Sequence, residues 1–132
     1  MSNDTISVSI ITSCGVIASC QASAAILPGE NGELGVLPKH ALLISSLSTG
    51  VIRIIVNNDV TRYFVDTGIM QVANAMVNIV ADFAINLEII EKAIIVEKIN
   101  YYKLELEKSY DQDHKNLLDQ NLLRYQNILR YK

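Results

Sequence analysis

Polar and apolar residues alternate over Thr5–Ile10: Ile6, Val8 and Ile10 share one parity, Thr5, Ser7 and Ser9 the other. That period of two predicts a strand with one buried face. Val51–Val56 is β-branched on both faces apart from Arg53, which predicts a well-buried strand. Asn57–Asp59 then supplies hairpin-turn residues before a further strand over Val60–Val65. Gly68–Val72 and Met76–Ala81 predict two more strands on either side of an Ala-Asn-Ala turn, and Ala41–Leu47 fits either a strand or a helical turn. Short strands at this spacing predict a sandwich or a barrel.

The period changes near residue 86. From Asn86 the chain reads as an amphipathic helix, with Asn86 as its N-cap, Glu88 at the positive end of the helix dipole and Glu88–Lys92 as an i,i+4 pair. The polar run Ser109–Asp113 breaks this helix and caps a second, where Asp111 and Lys115 repeat the pairing. Leu118, Leu122, Tyr125 and Leu129, at spacings of 4, 3 and 4, form the apolar seam of the second helix. Two helices of about 20 residues, each roughly 30 Å long, make an αα-hairpin. The expected organisation is α+β: an N-terminal antiparallel β-sandwich over 1–86 and a C-terminal two-helix hairpin over 87–132.

Composition sharpens that division. All six glycines and both prolines of the 132 residues lie at or before Gly68. Residues 1–87 hold six acids and three bases, residues 88–132 eight of each. Half the chain is apolar and the net charge is -3, so a core is affordable. No run of lysine and arginine makes a basic patch, which argues against nucleic-acid binding. The N-terminus lacks the pattern of a secretory or transit signal, and no apolar run approaches the ~20 residues of a membrane span. Cys14 and Cys20, six apart, match no zinc spacing and read as reduced thiols of an intracellular protein.

Four places carry candidate chemistry. The stretch Ile26–His40, ILPGENGELGVLPKH, spaces its glycines as G-x-x-G-x-x-G, which is neither a dinucleotide fingerprint nor a phosphate loop, and Glu30 and Glu33 would repel a phosphate. It reads as a plain surface turn or as a docking loop presenting two carboxylates and His40. Asp111, Asp113 and His114 can ligate a metal, but helix capping explains the same residues. His40 has no Ser or Cys nucleophile beside it, which leaves little for catalysis. Lys115, Arg124, Arg130 and Lys132 make the last helix basic, a solvated face or a surface for an acidic protein partner. No cofactor and no metal are expected.

GENGELGVLPKHALLISSLSTGVIRI, Gly29 to Ile54, resembles the signature region of the epsilon-subunit family of F-type (rotary) ATP synthases, through Gly32, Glu33, Gly35, Pro38, His40, Ala41, Leu43, Gly50, Arg53 and Ile54. TGIMQVANAMVNIVADFA, Thr67 to Ala84, is similar to a second family segment, and the helical hairpin follows in the same order. The resemblance implies a non-catalytic central-stalk rotor subunit. It would bind the gamma subunit and the polar loops of the c-ring, couple proton-driven rotation to ATP synthesis, and inhibit ATP hydrolysis when its hairpin extends to the alpha/beta head. It implies a peripheral place on the cytoplasmic face of a bacterial inner membrane, with the stromal face of a plastid thylakoid as the second choice. Glu33, with Glu30 beside it, would face the c-ring and His40 would lie toward gamma, while Lys115, Arg124 and Arg130 would meet the head. Lys39, Leu42 and Thr49 depart from the family pattern. In its nucleotide motif Lys92-Ala93 takes the Arg-Ala place and Ile89 the Asp place, which speaks against ATP binding. The competing readings are a free-standing scaffold without a rotary role and a small hydrolase using His40.

Overall fold

The computed structural model describes residues 5–38 and 42–132. Eight strands precede two helices: β1 Ile6–Thr12, β2 Gly15–Ala22, β3 Ala24–Gly29, β4 Gly32–Val36, β5 Leu43–Leu47, β6 Gly50–Val56, β7 Asp59–Ala73, β8 Met76–Asn86, α1 Lys92–Lys108 and α2 Gln112–Tyr131. The chain divides into two compact units, Met1–Glu88 and Ile89–Lys132.

In the first unit the strands run in the order β2-β1-β8-β7-β5-β3-β4, with β6 pairing β3 and β7. All pairs are antiparallel except β1 with β8. The expected alternation appears in β1, where Ile6, Val8 and Ile10 are buried and Ser7 and Ser9 are not. Leu27, Ile52, Ile54, Met70 and Ile79 complete the centre of the same core. Each such side chain contributes about 1.5–3 kcal/mol by leaving water, and they hold the two halves of the curled sheet together as a sandwich. The ambiguous stretch at Ala41–Leu47 is a strand from Leu43; Ala41 lies outside the described residues.

Val60–Val65 and Gly68–Val72, expected as separate strands, are one strand. β7 pairs with β8 from Tyr63↔Asn86 to Ala73↔Met76 in a constant register, so Asp66-Thr67 is not a turn. The break lies instead on the other edge of β7, where β6 stops at Gly50↔Val65 and β5 takes over at Leu47↔Gly68. At the gap Thr49 donates to Asp66 at 2.6 Å, and on the opposite edge Thr67 donates to Asp82 of β8 at 2.8 Å.

The β7–β8 loop is Asn74-Ala75, with φ of 48° and 61°. Positive φ at both central residues matches the twist of a hairpin, but alanine pays a steric cost there that glycine does not. Ala75→Gly is expected to stabilise the protein by about 0.5–1 kcal/mol, the relief being partly offset by the greater freedom of glycine when unfolded. A thermal melt reads this as a rise of a few degrees; a fall would contradict it.

In the second unit α1 starts six residues after Asn86. The Asn86 side chain accepts the Glu88 N–H at 2.8 Å, a local turn that imitates a helix cap in sequence. Glu88 pairs with Arg62 of β7, at 3.0 Å from Nε and 3.3 Å from Nη2, rather than with Lys92. It also accepts the Arg62 backbone N–H at 3.1 Å, and the side-chain bond to Glu88 is the main cause raising the Arg62 guanidinium above its ordinary pKa. Leu87 is fully buried and donates to the Arg62 carbonyl at 2.9 Å, so the chain stays on the sheet through Glu88. The cap of α1 is Glu91, without a side-chain bond. Asp111 caps α2, accepting the Asp113 N–H, and the expected ion pair with Lys115 is not among those of the described residues. Ile95 and Ile99 are the buried residues of α1, and Leu118 and Ile128 those of α2. Ile128 rather than Leu129 is therefore the deepest residue at the end of the seam. Tyr102 of α1 stacks on Tyr125 of α2, centroids 5.8 Å apart.

Candidate docking surfaces

The glycine-rich stretch is a β-hairpin rather than a loop. β3 and β4 pair from Ala25↔Val36 to Gly29↔Gly32, which leaves Glu30-Asn31 as a two-residue turn. Gly32 has φ of +116°, a conformation open to glycine. Ser48 braces the hairpin: its N–H donates to the Pro28 carbonyl at 2.8 Å and its hydroxyl to the Gly29 carbonyl at 3.3 Å. The two carboxylates therefore stand differently. Glu30 is exposed at the tip, while Glu33 lies in β4 opposite Pro28. Glu30, Glu33, Leu43, Ser45 and Met70 contribute to an open cavity of about 270 Å³ at this end of the sheet.

Glu33 accepts a hydrogen bond from Arg53 Nη2 at 2.9 Å. Arg53 is in β6 opposite Ile26, and Glu33 is two strands away in β4, so the arginine stem crosses the outer face of β3. Both side chains are over a third exposed, at 36% and 60%. Such a pair is worth at most about 1 kcal/mol to stability; its consequence is orientation, since it holds the Glu33 carboxylate along the sheet. Sequence reasoning placed Arg53 in a strand but not against Glu33, twenty residues away.

A second surface went unforeseen. The outward positions of four strands line up as an apolar row: Val16 of β2 opposite Ile11 of β1, Ile11 opposite Val80 of β8, and Val80 opposite Ile69 of β7. Their exposures are 65%, 37%, 57% and 58%. Ile69 faces Ser46 of β5, and Ile44, 66% exposed, stands on the same side two residues along. Single exposed apolar residues are ordinary on a protein surface. A contiguous band across five strands marks an interaction surface. Its signal was the β-branched residues at both parities of β7 and β8.

His40, like Lys39, lies outside the described residues. Lys92 is the first residue of α1. Lys115, Arg124 and Arg130 are all on α2, but Arg124 follows Lys115 by nine residues, which at about 100° per residue puts it half a turn away. Arg124 donates to Asn121 at 3.3 Å, and Arg130 sits in the last turn, where a cation complements the helix dipole. Burial is the main cause raising the pKa of Tyr125; Tyr102 adds to it, and Lys98 and Arg124 oppose it. Cys14 and Cys20 are free and exposed. Among the described residues no three acidic, histidine or cysteine side chains converge as metal ligands.

Comparison with known proteins connects these surfaces to a family. Residues 5–87 match the family model described as ATP synthase, Delta/Epsilon chain, beta-sandwich domain. Over 115 residues the chain is 36% identical to the ATP synthase epsilon chain of Rickettsia felis, covering 85% of this chain and 99% of that one. It is 40% identical over 80 residues to the ATP synthase epsilon chain of Desulfitobacterium hafniense, 61% of each chain. A chain in the cryo-EM structure of the Euglena gracilis mitochondrial ATP synthase, OSCP/F1/c-ring, superposes with a TM-score of 0.70 at 18% identity, over 96% of this chain and 81% of that one, and so shares its fold.

Proposed function

Because this chain belongs to the ATP synthase delta/epsilon family, we propose that it docks on gamma through the apolar row of its sandwich and on the c-ring through the β3–β4 hairpin. It is a non-catalytic, central-stalk subunit of an F-type ATP synthase, coupling rotation of the c-ring to ATP synthesis. The observation that carries the docking reading is the uncovered row Ile11–Val80–Ile69, which needs a broad apolar partner. The hairpin offers the complementary chemistry for a polar, basic loop: Glu30 free at the tip and Glu33 oriented by Arg53. His40, toward gamma, belongs to the same reading.

No helix of the described residues is long and apolar enough to cross a membrane. Attachment to the complex makes the subunit membrane-associated, and we place it on the cytoplasmic face of a bacterial inner membrane. We also propose that the division after Glu88 separates two domains, and that the helical one regulates. Extended, its basic residues Lys115, Arg124 and Arg130 would meet acidic groups on the alpha/beta head and slow ATP hydrolysis.

Three measurements test this reading. A tagged full-length chain is expected to co-purify with gamma and the c-ring; their absence sinks the rotor role. The chain ended at Glu88 is expected to unfold cooperatively, because its core closes within the β-unit. When it replaces the full chain in the assembled enzyme, ATP hydrolysis is expected to rise several-fold. Unchanged hydrolysis would remove the regulatory role and leave the docking role standing.

A further inference from the structure

One turn of the β-unit carries bond-forming chemistry of its own. Asn31 stands at the β3–β4 tip and is followed by Gly32. Every other asparagine of the chain is followed by a residue with a side chain. The amide carbon of an asparagine lies within reach of the next backbone nitrogen, and a five-membered ring forms when that nitrogen attacks it. A side chain on the following residue crowds the attack; glycine, without a Cβ, does not. Asn31 and Gly32 are both exposed. A Cβ built on Gly32 meets nothing within 4 Å among the described residues, so the ring has room to close.

The tip is also a loose point of its hairpin. A two-residue turn matches the twist of its strands when both central residues have positive φ. Asn74 and Ala75 do so in the β7–β8 turn, whereas Glu30 and Asn31 are not among the residues with positive φ. The misfit falls on Gly32, at φ +116°. Gly29↔Gly32 is the last pair before the turn, and β4 ends the strand order, paired with β3 alone among the described residues. Opening that one pair frees the Gly32 nitrogen while the rest of the ladder stays closed. Such local opening at an exposed strand end takes far less free energy than global unfolding.

We propose that Asn31-Gly32 is a self-modifying site, at which a neutral amide becomes a carboxylate with water as the only reagent. The Gly32 nitrogen gives up its proton and bonds to the side-chain carbonyl carbon of Asn31. The bond from that carbon to the side-chain nitrogen breaks, and ammonia leaves with the proton. Water then opens the cyclic imide. Breaking the new bond gives an aspartate in the ordinary chain. Breaking the original peptide bond gives an isoaspartate, with the chain running through the former side chain. Nothing is oxidised or reduced. Either product places a third acid between Glu30 and Glu33 and takes the net charge one unit below its present -3. The isoaspartate also lengthens the turn by one backbone carbon, which disturbs the Gly29↔Gly32 pair. This chemistry stands whether or not the hairpin docks on a partner.

The test ages the folded full chain at neutral and at mildly alkaline pH and follows it by isoelectric focusing and peptide mapping. Asn31 is expected to convert first, ahead of Asn57, Asn58 and Asn74 in the other two-residue turns. Conversion is expected to be faster at the higher pH, because the attacking nitrogen must lose its proton. The whole chain is expected to shift by one acidic charge. A protease that cuts before aspartate is expected to open part of the converted chain at position 31 and to leave the isoaspartate part uncut. Asn31→Asp is expected to focus with the converted parent. Asn31→Gln, whose ring would need a sixth member, is expected to lose the acidic shift. If Asn31 stays intact in the folded chain, the proposal fails; conversion of a urea-unfolded sample would then show that the hairpin holds the nitrogen back. It fails equally if another asparagine converts first, or if the acidic shift persists in Asn31→Gln.

Discussion

Gly68→Ala is expected to lower the melting temperature by roughly 10–20 °C, as a loss of about 3 kcal/mol does in a small domain. The cause is a single methyl group. A Cβ on Gly68 would overlap the Val80 carbonyl oxygen and lie 2.8 Å from the Ala81 Cα. Both obstacles are backbone, so no rotamer change relieves the overlap. Gly68 pairs with Ala81 in the interior of the β7–β8 ladder, where the strands would have to part. Ala81, Ile79 and Met70 are buried around that point, so separation would also open the core. Gly35→Ala is the matched control, the same added methyl in open space. Thermal unfolding followed by circular dichroism decides the matter. A Gly68→Ala melt within about 4 °C of the parent would mean that the two strands do not approach as closely as described.

The contrast between these glycines shows what the chain reveals by itself. The alternation at Ile6–Ile10 predicted a buried face because one elementary period governs a half-buried strand, and β1 has that face. The β-to-α change was legible from the change of period near residue 86. The position of the helix start was not. Asn86 makes a capping-type bond to Glu88, but Arg62, distant in sequence, takes the Glu88 carboxylate and keeps the chain on the sheet. The expected cap and the expected Glu88–Lys92 pair were both wrong, because tertiary pairing claimed the residues that local chemistry had assigned to the helix start. The acids of the hairpin were visible as charges among glycines, whereas the Arg53–Glu33 bond depends on the β4–β3–β6 order, which no local pattern encodes. The apolar row escaped for a related reason. A period-two reading assigns one parity to water, and nothing local tells whether isoleucine and valine at both parities are buried twice or form an uncovered outer face, as the second parity of β7 and β8 does.

That outer face gives the largest expected effect on assembly. Ile69→Asp is expected to leave the fold intact and to weaken binding to gamma about 100-fold. Ile69 is 58% exposed and outside the core, so the substitution costs the isolated protein little beyond the poor strand preference of aspartate, a shift of a few degrees. In a complex the same position is the centre of the row, between Val80 on β8 and Ser46 on β5. A carboxylate there would be buried without a partner, and an uncompensated buried charge costs about 3 kcal/mol or more, which is over two decades in affinity. Val16→Asp, at the edge strand where water can still reach the charge, is expected to cost much less. The gradient from Ile69 to Val16 is the useful reading, because a misfolded variant would not produce it. Equal losses at the two positions would mean the row is not the interface core, and no loss at Ile69 would mean gamma binds another face. Affinity for gamma measured by calorimetry, beside a melt of each variant, separates these outcomes.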